Sequence, residues 1–289
     1  MRWQGGRESD NVEDERSVSP QQMMVGGGLG TIVIVILGLL FGADPAQLMN
    51  VVKQAQVAQP GNAGGGGQER PLSPEEQEIG KFVRIILADT EDVWTELFAG
   101  MGKQYVNPKL HLFSGSTSSA CGNADASVGP FYCPGDQKVY LDTAFFQELS
   151  NRFRAPGDFA RAYVIAHEVG HHVQNQLGIT GKVDAMRSRM SKTEFNHISV
   201  RLELQADFYA GVWANHANKA RSVLESGDVE AALNAASKIG DDALQKAGQG
   251  YVVPDSFTHG TSAQRMKWFR LGLETGDVRQ GDTFSAKDL

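Results

Sequence analysis

The stretch His167-Glu168-Val169-Gly170-His171 constrains this chain most, because its two histidines can act together only on a helix. Residues i and i+4 of an α-helix lie on one face, so the two imidazole rings can point at one position in space. Glu168 is displaced by one residue and points beside that position. This HExxH pattern is typical of a helix that binds zinc and carries a carboxylate placed to act as a general base.

The sequence around the motif predicts a helix in the protein interior. Asp158 follows Pro156-Gly157 and is a candidate N-cap, and Gly178 is a candidate stop signal. Apolar residues cover most of the helix between them: Phe159, Ala162, Tyr163, Val164, Ile165, Ala166, Val169, Val173 and Leu177. The alternative, which the motif alone leaves open, is a buried helix whose two histidines only form hydrogen bonds.

A second pair of acidic residues lies further along the chain, in an apolar segment predicted as a helix over about 195–218. Glu203 and Asp207 are spaced i, i+4 and share a face of that helix. Buried carboxylates need a partner or a metal. We therefore predict that Glu203 is the third zinc ligand and that Asp207 accepts the N–H of His167, which would fix the orientation of that ring. The alternative is that Glu203 pairs with Arg201.

These motifs together resemble the gluzincin metallopeptidases, in which HExxH is followed by a helical ExxxD. More narrowly, the chain resembles the bacterial membrane-anchored family called "putative neutral zinc metallopeptidase". The resemblance covers nearly the whole chain and rests on an amino-terminal anchor and four motifs: HEVGHH at 167–172, ELQAD at 203–207, GPFYCP at 129–134 and HGTSAQR at 259–265. It implies a zincin-like fold and zinc peptidase activity, without specifying a substrate.

Residues 25–43 are predicted to form a single transmembrane helix, because the stretch from 26 to 42 has no charge and its centre is aliphatic. Its length is near the lower limit for crossing a hydrocarbon core of about 30 Å. A cleaved signal peptide is the alternative, although no clear small-x-small cleavage site follows Gly42. Three arginines precede the segment and only Lys53 lies close behind it, so we expect the amino terminus to stay in the cytoplasm and the rest to be periplasmic.

The resulting domain prediction has four parts. The Gly- and Gln-rich stretch before Ser73 is expected to be a flexible linker, and the capping-box sequence from Ser73 to Glu76 is expected to begin the folded domain. The predicted boundaries are a cytoplasmic leader at 1–24, the transmembrane helix at 25–43, the linker at 44–72 and a zinc metallopeptidase domain at 73–289.

Only two cysteines occur, Cys121 and Cys133, and they lie in a segment rich in Gly, Ser and Pro. A disulfide between them is the simple interpretation, and it requires an oxidising compartment. The alternative is a pair of reduced, packed thiols in a cytosolic protein.

The fold class predicted from these patterns is α+β, with a mainly helical zincin-like domain and a small sheet. Helices are expected from Ser73 and again over 90–101, and strands near 109–114 and 138–142. In zincin-like folds the edge strand of the sheet can bind an extended peptide by backbone pairing. We expect the segment 129–142 to supply this edge and the cysteine bridge to stiffen it.

The last motif, from His259 to Arg265, offers two further candidate residues. His259 could donate a hydrogen bond to the oxyanion of a tetrahedral intermediate, or it could serve only as a helix cap or turn residue. Arg265 is expected to hold a carboxylate or a loop. His172 is rotated by about 100° from His171 on the helix, so it is not predicted as a ligand.

The sequence thus predicts a zinc metallopeptidase with one Zn²⁺ per chain, bound by His167, His171 and Glu203, which leaves a position for water. Glu168 would accept a proton from that water as it attacks the peptide carbonyl. A membrane-tethered binding or scaffolding protein with a structural or inactive zinc site is the alternative. The net charge of −7, without a basic cluster in the domain, argues against nucleic acid as a partner. The oligomeric state is not specified.

Overall fold

The computed structural model describes residues 1–17, 70–125 and 128–289. The chain divides into two compact units, one formed by Met1–Glu15 with Ser73–Leu289 and the other by Arg16–Leu72. In the second unit, the N–H of Arg70 donates to the carbonyl of Ser17 at 3.0 Å. The predicted transmembrane helix and most of the predicted linker lie outside the described residues. Within the described ranges, no helix is both long and apolar enough to cross a membrane.

Helices dominate the first unit. In chain order its strands and helices are β1 (Val12–Asp14), α1 (Pro74–Gly100), β2 (Lys109–Phe113), β3 (Ser116–Ser119), β4 (Gly122–Asp125), β5 (Phe131–Cys133), β6 (Lys138–Asp142), α2 (Ala144–Asn151), α3 (Asp158–Gln176), α4 (Ile179–Arg187), α5 (Lys192–Arg221), α6 (Asp228–Lys238), α7 (Asp241–Gln249) and α8 (Ser262–Thr275). The predicted α+β class, mainly helical with a small sheet, is confirmed.

The strands form a four-stranded sheet and a separate hairpin. The order in the sheet is β1-β2-β6-β5, with the first three strands parallel and β5 antiparallel to β6. Strands β3 and β4 pair as the hairpin. The predicted strands near 109–114 and 138–142 are confirmed as β2 and β6. Both central strands are buried, as expected for strands that are covered by helices.

Helix α1 is one continuous helix, whereas the sequence predicted a break before Thr90. Ser73 caps it as predicted: its hydroxyl oxygen accepts the N–H of Glu76, and its own N–H donates to the Glu76 carboxylate. The buried side of α1 continues through Thr90 to Trp94, so packing maintains the helix where local sequence suggested a new start. The Thr90 hydroxyl donates to the carbonyl of Leu87, which satisfies it inside the helix.

The amino-terminal residues differ most from the predicted domain organisation. Instead of forming a separate leader, residues 1–15 belong to the same compact unit as 73–289, and β1 pairs in parallel with β2. The side chain of Ser9 donates to Glu91 of α1 at 2.6 Å, and Arg7 donates to the same carboxylate.

Trp3 attaches this segment to the helix that carries the HExxH motif. Its indole is buried, and its ring lies edge-on to Phe82 of α1 with centroids 5.3 Å apart. The indole N–H donates to the carboxylate of Asp158 at 2.9 Å. Asp158 is the first residue of α3, and the N-cap position is Gly157, one residue earlier than predicted. The amino-terminal segment thus packs against the start of the motif helix.

Glycines allow α5 to approach the helices on either side of it. A Cβ atom on Gly170 of α3 would lie 2.9 Å from the carbonyl oxygen of Ala206, which is too close for any real side chain. Between α5 and α8, Gly211 faces the backbone of Phe269 and Gly272 faces the backbone of Phe208 in the same way. The close approach brings the polar residues of three helices within hydrogen-bonding distance.

Candidate metal centre

Three side chains from two helices converge at the HExxH motif. Glu203 of α5 points between the histidines of α3, with its carboxylate oxygens 3.2 Å from His167 Nε2 and 3.5 Å from His171 Nε2. The two imidazole rings are nearly perpendicular, and their centroids are 4.9 Å apart. One ligand atom from each residue lies within 4.8 Å of the others, so the three could hold one metal ion.

The outer nitrogen of each histidine is already bonded. His167 Nδ1 lies 2.9 Å from Asp207 Oδ1, and His171 Nδ1 lies 2.9 Å from Gln174 Oε1. Because carboxylate and amide oxygens accept hydrogen bonds, both rings carry a proton on Nδ1, and Nε2 is the nitrogen that would bind a metal in place of its contact with Glu203. Two imidazole nitrogens and a carboxylate oxygen form a donor set that suits zinc. The tautomers and the chemistry of the donors both fit a bound metal.

Asp207 is fully buried and links three helices. Its carboxylate accepts two hydrogen bonds from Arg265 of α8, at 2.8 and 2.9 Å, and one from the Tyr163 hydroxyl of α3, at 2.5 Å. Together with the bond to His167, these contacts give the carboxylate four donors. Arg265 therefore contacts the predicted partner of His167 and is itself buried. This paired arrangement is how a protein accommodates a charge without solvent.

The charges in this group shift one another's pKa values. Burial alone would lower the pKa of His167, but Asp207 and Glu203 outweigh it and raise this pKa to about 10. Burial would raise the pKa of Asp207, yet Arg265 and His167 lower it to about 2. The histidines likewise hold the pKa of Glu203 well below its usual range, against the effect of burial. Both carboxylates are therefore ionised at neutral pH, which a cation at this position requires.

The alternative pairing of Glu203 with Arg201 does not occur. The Arg201 guanidinium instead donates to backbone carbonyls of the carboxy-terminal segment, at Thr283, Phe284 and Ala286. The side chain of Glu203 is mostly buried, so it lies in the interior with the two histidines.

The metal centre opens into a cleft of about 610 Å³. Glu168 is buried and lines this cleft beside His167, His171 and Glu203. Edge strand β5 lines another part of the cleft. The base candidate, the ligand candidates and the edge strand β5 therefore line one cavity.

His259 also lines the cleft, held there by Asp241 at the start of α7. Its Nδ1 lies 3.2 Å from Asp241 Oδ1, and Oδ2 of the same carboxylate accepts the backbone N–H groups of Thr258, His259 and Gly260. Burial would lower the pKa of His259, but Asp241 and the more distant Glu203 raise it. Because Nδ1 is bonded to Asp241, Nε2 is the nitrogen left to contact a bound molecule.

His172 is directed away from the metal centre, in agreement with its helical position. Its Nε2 lies 2.7 Å from the carbonyl of Val106, and its Nδ1 lies 3.0 Å from the Tyr132 hydroxyl. Burial raises the pKa of Tyr132 to about 12, so its hydroxyl remains a donor at neutral pH. Since Tyr132 belongs to β5, these contacts attach the edge strand to the motif helix.

The predicted disulfide between Cys121 and Cys133 is confirmed. Cys133 ends the edge strand β5, and Cys121 lies in the turn between β3 and β4. The covalent link therefore ties the strand that lines the cleft to the neighbouring hairpin. Within the segment 129–142, β5 is an edge strand of the sheet, whereas β6 pairs with a strand on each side.

Three contributors to the site were missed by the sequence analysis. Tyr163 precedes His167 by four residues, and Gln174 follows His171 by three. Helical spacing could therefore have identified both as neighbours of the histidines. Asp241 gives no such signal, because it meets His259 only through the packing of α7 against the loop before α8.

The fold and this centre define an α+β protein in which an HExxH helix and a second helix bring together three residues that could hold a metal ion. Comparison by sequence places the chain in one family: the model of the "Putative neutral zinc metallopeptidase" family matches residues 1–284, so the chain belongs to it. The match includes the amino-terminal segment that the structure incorporates in the sheet.

Relatives from several bacteria match much of the chain. A protein of Escherichia coli strain K12, "Uncharacterized protein YpfJ", is 48% identical over 98% of this chain and 99% of its own length. "Uncharacterized protein Mb2605" of Mycobacterium bovis is 42% identical over 73% of this chain and 74% of its own. No solved structure gives a significant match. The family supports a zinc peptidase at a general level, and the relatives' names add no substrate.

Asp207→Asn should weaken zinc binding by about 10–100-fold, because a partner that orients a ligating histidine typically contributes that much. Asparagine keeps the shape but removes the charge that holds the His167 tautomer. Competition titration with a zinc chelator measures the affinity, under conditions where circular dichroism shows the variant to be folded. Asp184→Asn is the matched control, because Asp184 is exposed and lines the same cleft. Equal affinities in both variants would contradict the role of Asp207.

Proposed function

We propose that this protein is a zinc metalloendopeptidase that hydrolyses peptide bonds with Glu168 as the general base. The observation that carries the proposal is the convergence of His167, His171 and Glu203 on one point beside Glu168, at the wall of an open cleft. Among the described residues, three side chains are placed to bind one metal ion at this point. A structural zinc site usually has four protein ligands, so three ligands in an open cleft favour catalysis.

Zinc bound by these three residues would polarise the scissile carbonyl and acidify a water molecule. Glu168 would accept the proton of the attacking water and pass it to the leaving amine. Its position one residue after His167 keeps its carboxylate beside the ligands without using it as one. Asp207, Arg265 and Tyr163 would hold the His167 ring so that its Nε2 faces the metal.

His259 is proposed to stabilise the oxyanion that forms when water attacks the carbonyl. Asp241 binds its Nδ1 and raises its pKa, so Nε2 carries a proton over a wider pH range than in free histidine. A protonated imidazole in a partly buried cleft is a suitable donor to developing negative charge.

Substrate binding is proposed to use the edge strand β5. An extended peptide can add to an exposed sheet edge through backbone hydrogen bonds. Support comes from the position of β5 at the end of the sheet, along the cleft, and from its two attachments through the Cys121–Cys133 disulfide and the Tyr132–His172 contact. A stiff edge would reduce the entropy lost on binding.

Glu168→Gln should abolish peptide hydrolysis while zinc remains bound, because the amide cannot accept the proton but leaves the ligands intact. General-base catalysis contributes about 10²–10⁴-fold, so the rate should fall at least this far. Glu203→Ala should instead lose the metal. Zinc content by mass spectrometry and cleavage of an unfolded protein substrate measure the two effects. Wild-type turnover in Glu168→Gln would overturn the assignment.

Asp241→Asn should move the alkaline limb of the kcat/KM profile to lower pH. The protonated form of His259 is the active donor, so activity falls as pH rises through its pKa. Removal of the Asp241 charge lowers that pKa, and the loss then begins at lower pH. The amide oxygen of asparagine can still accept the backbone N–H groups. An unshifted alkaline limb in Asp241→Asn would exclude this role for His259.

The described domain is proposed to occupy an oxidising compartment, the periplasm or cell exterior, because a disulfide persists there. Residues 1–15 should occupy the same compartment, since β1 is hydrogen-bonded to β2. This differs from the predicted topology, in which 1–24 stays in the cytoplasm.

Cysteine labelling tests this topology. Glu8→Cys and Gln249→Cys each introduce one exposed thiol, while both native cysteines are in the disulfide. A membrane-impermeant maleimide should label both variants in intact spheroplasts. If only Gln249→Cys is labelled, the amino terminus lies in the cytoplasm, as the sequence predicted. If neither variant is labelled until the cells are lysed, the domain does not lie in an oxidising compartment.

A further inference from the structure

The cleft beside the metal centre has an apolar region that the proposed catalytic steps do not use. Phe145 of α2 and Phe153, just after α2, both line the cleft, and their ring centroids are 6.3 Å apart. Each ring packs on the hydrophobic core and is only partly buried. Val128 lies at the same cleft and is 55% exposed, although it is a large apolar side chain.

The backbone around these side chains shapes a pocket. A Cβ atom on Gly129 would lie 3.7 Å from the Phe145 ring, so the loop that leads into β5 passes close to this phenylalanine. The apolar side chains are therefore next to the strand proposed to bind the substrate backbone. Side chains of an extended peptide on β5 alternate in direction, so one of them would enter this pocket.

The charges at the rim of the pocket cancel. Arg152 lies 3.6 Å from Glu148 on the same face of α2, and its guanidinium lies over the Phe153 ring at 5.3 Å from the centroid. This pair gives the rim no net charge with which to select a charged residue. The pocket therefore favours apolar contact, in which affinity increases with the area removed from water.

We propose that Val128, Phe145 and Phe153 form the specificity subsite of the peptidase and accept a large apolar side chain, aromatic or aliphatic, of an extended polypeptide. The inference rests on the proposed function and adds its substrate class. Large apolar side chains in extended backbone are buried in folded proteins and exposed in unfolded ones. The substrates are therefore unfolded or partly unfolded chains rather than native surfaces.

The experiment compares zinc-loaded wild type with the double variant Phe145→Ala, Phe153→Ala. The substrates are peptides in which the residue before the scissile bond, or the residue after it, is in turn Phe, Leu, Ala or Glu. At one position, wild type should cleave the Phe and Leu peptides about tenfold faster in kcat/KM than the Ala and Glu peptides, as apolar pockets do. The double variant should lose this preference, because its kcat/KM values on the Phe and Leu peptides should fall to the value on the Ala peptide. Phe195→Ala, a partly buried aromatic residue on α5 outside the cleft lining, should leave the preference unchanged.

A binding measurement separates this inference from the proposed function. Zinc-loaded Glu168→Gln should bind the Phe peptide about tenfold more tightly than the Ala peptide. When Phe145→Ala and Phe153→Ala are added to this variant, it should bind the two peptides with equal affinity. Hydrolysis of all peptides at similar rates would overturn the subsite while leaving the peptidase intact. Selective binding without hydrolysis by wild type would overturn the peptidase while leaving the subsite intact.

Discussion

The buried carboxylate of Asp207 is the contact on which the arrangement of the site depends. It joins α3 through His167 and Tyr163 to α8 through Arg265, while its own backbone belongs to α5. A buried charge without partners would be strongly destabilising, and removal of one member of such a pair costs about 3–5 kcal/mol. The three helices are packed so that every hydrogen-bonding partner of the Asp207 carboxylate lies within reach. The same packing directs the ring of His167 toward Glu203.

The glycines explain why the same helices can come close enough for this network. Gly170 lies inside the HExxH motif itself, and its missing side chain is where Ala206 of α5 approaches. Gly211 and Gly272 do the same between α5 and α8, next to the turn of helix that carries Asp207. Packing and the proposed chemistry are thus coupled, because Gly170, which lies between the two histidines of the motif, also permits the close approach of the helix that carries Glu203.

Local spacing was enough to predict the centre of the site. The i, i+4 pairs of α3 and α5 indicated which side chains share a helical face, and the predicted helices exist. The contact between Asp207 and His167 followed from the same spacing, because buried carboxylates require partners. The α+β class and two strands of the sheet were predicted from apolar runs in the same way.

Contacts between distant parts of the chain could not be predicted. The pairing of β1 with β2 joins residues about one hundred positions apart, and the short polar strand Val12–Asp14 has no pattern that indicates it. Sequence rules for membrane orientation counted the arginines near the predicted span, including Arg7, but could not show that Arg7 contacts Glu91. The same limitation hid Asp241, whose contact with His259 depends on tertiary packing alone.

We have proposed that His167, His171 and Glu203 bind one zinc ion in a site open to substrate. Crystals of the protein grown with zinc, with diffraction measured on both sides of the zinc absorption edge, would locate the ion. We expect one strong anomalous peak per chain, about 2.0–2.2 Å from a nitrogen of each histidine and an oxygen of Glu203, with at least one coordination position not filled by the protein. A peak elsewhere, or a fourth protein ligand that closes the site, would exclude this zinc site.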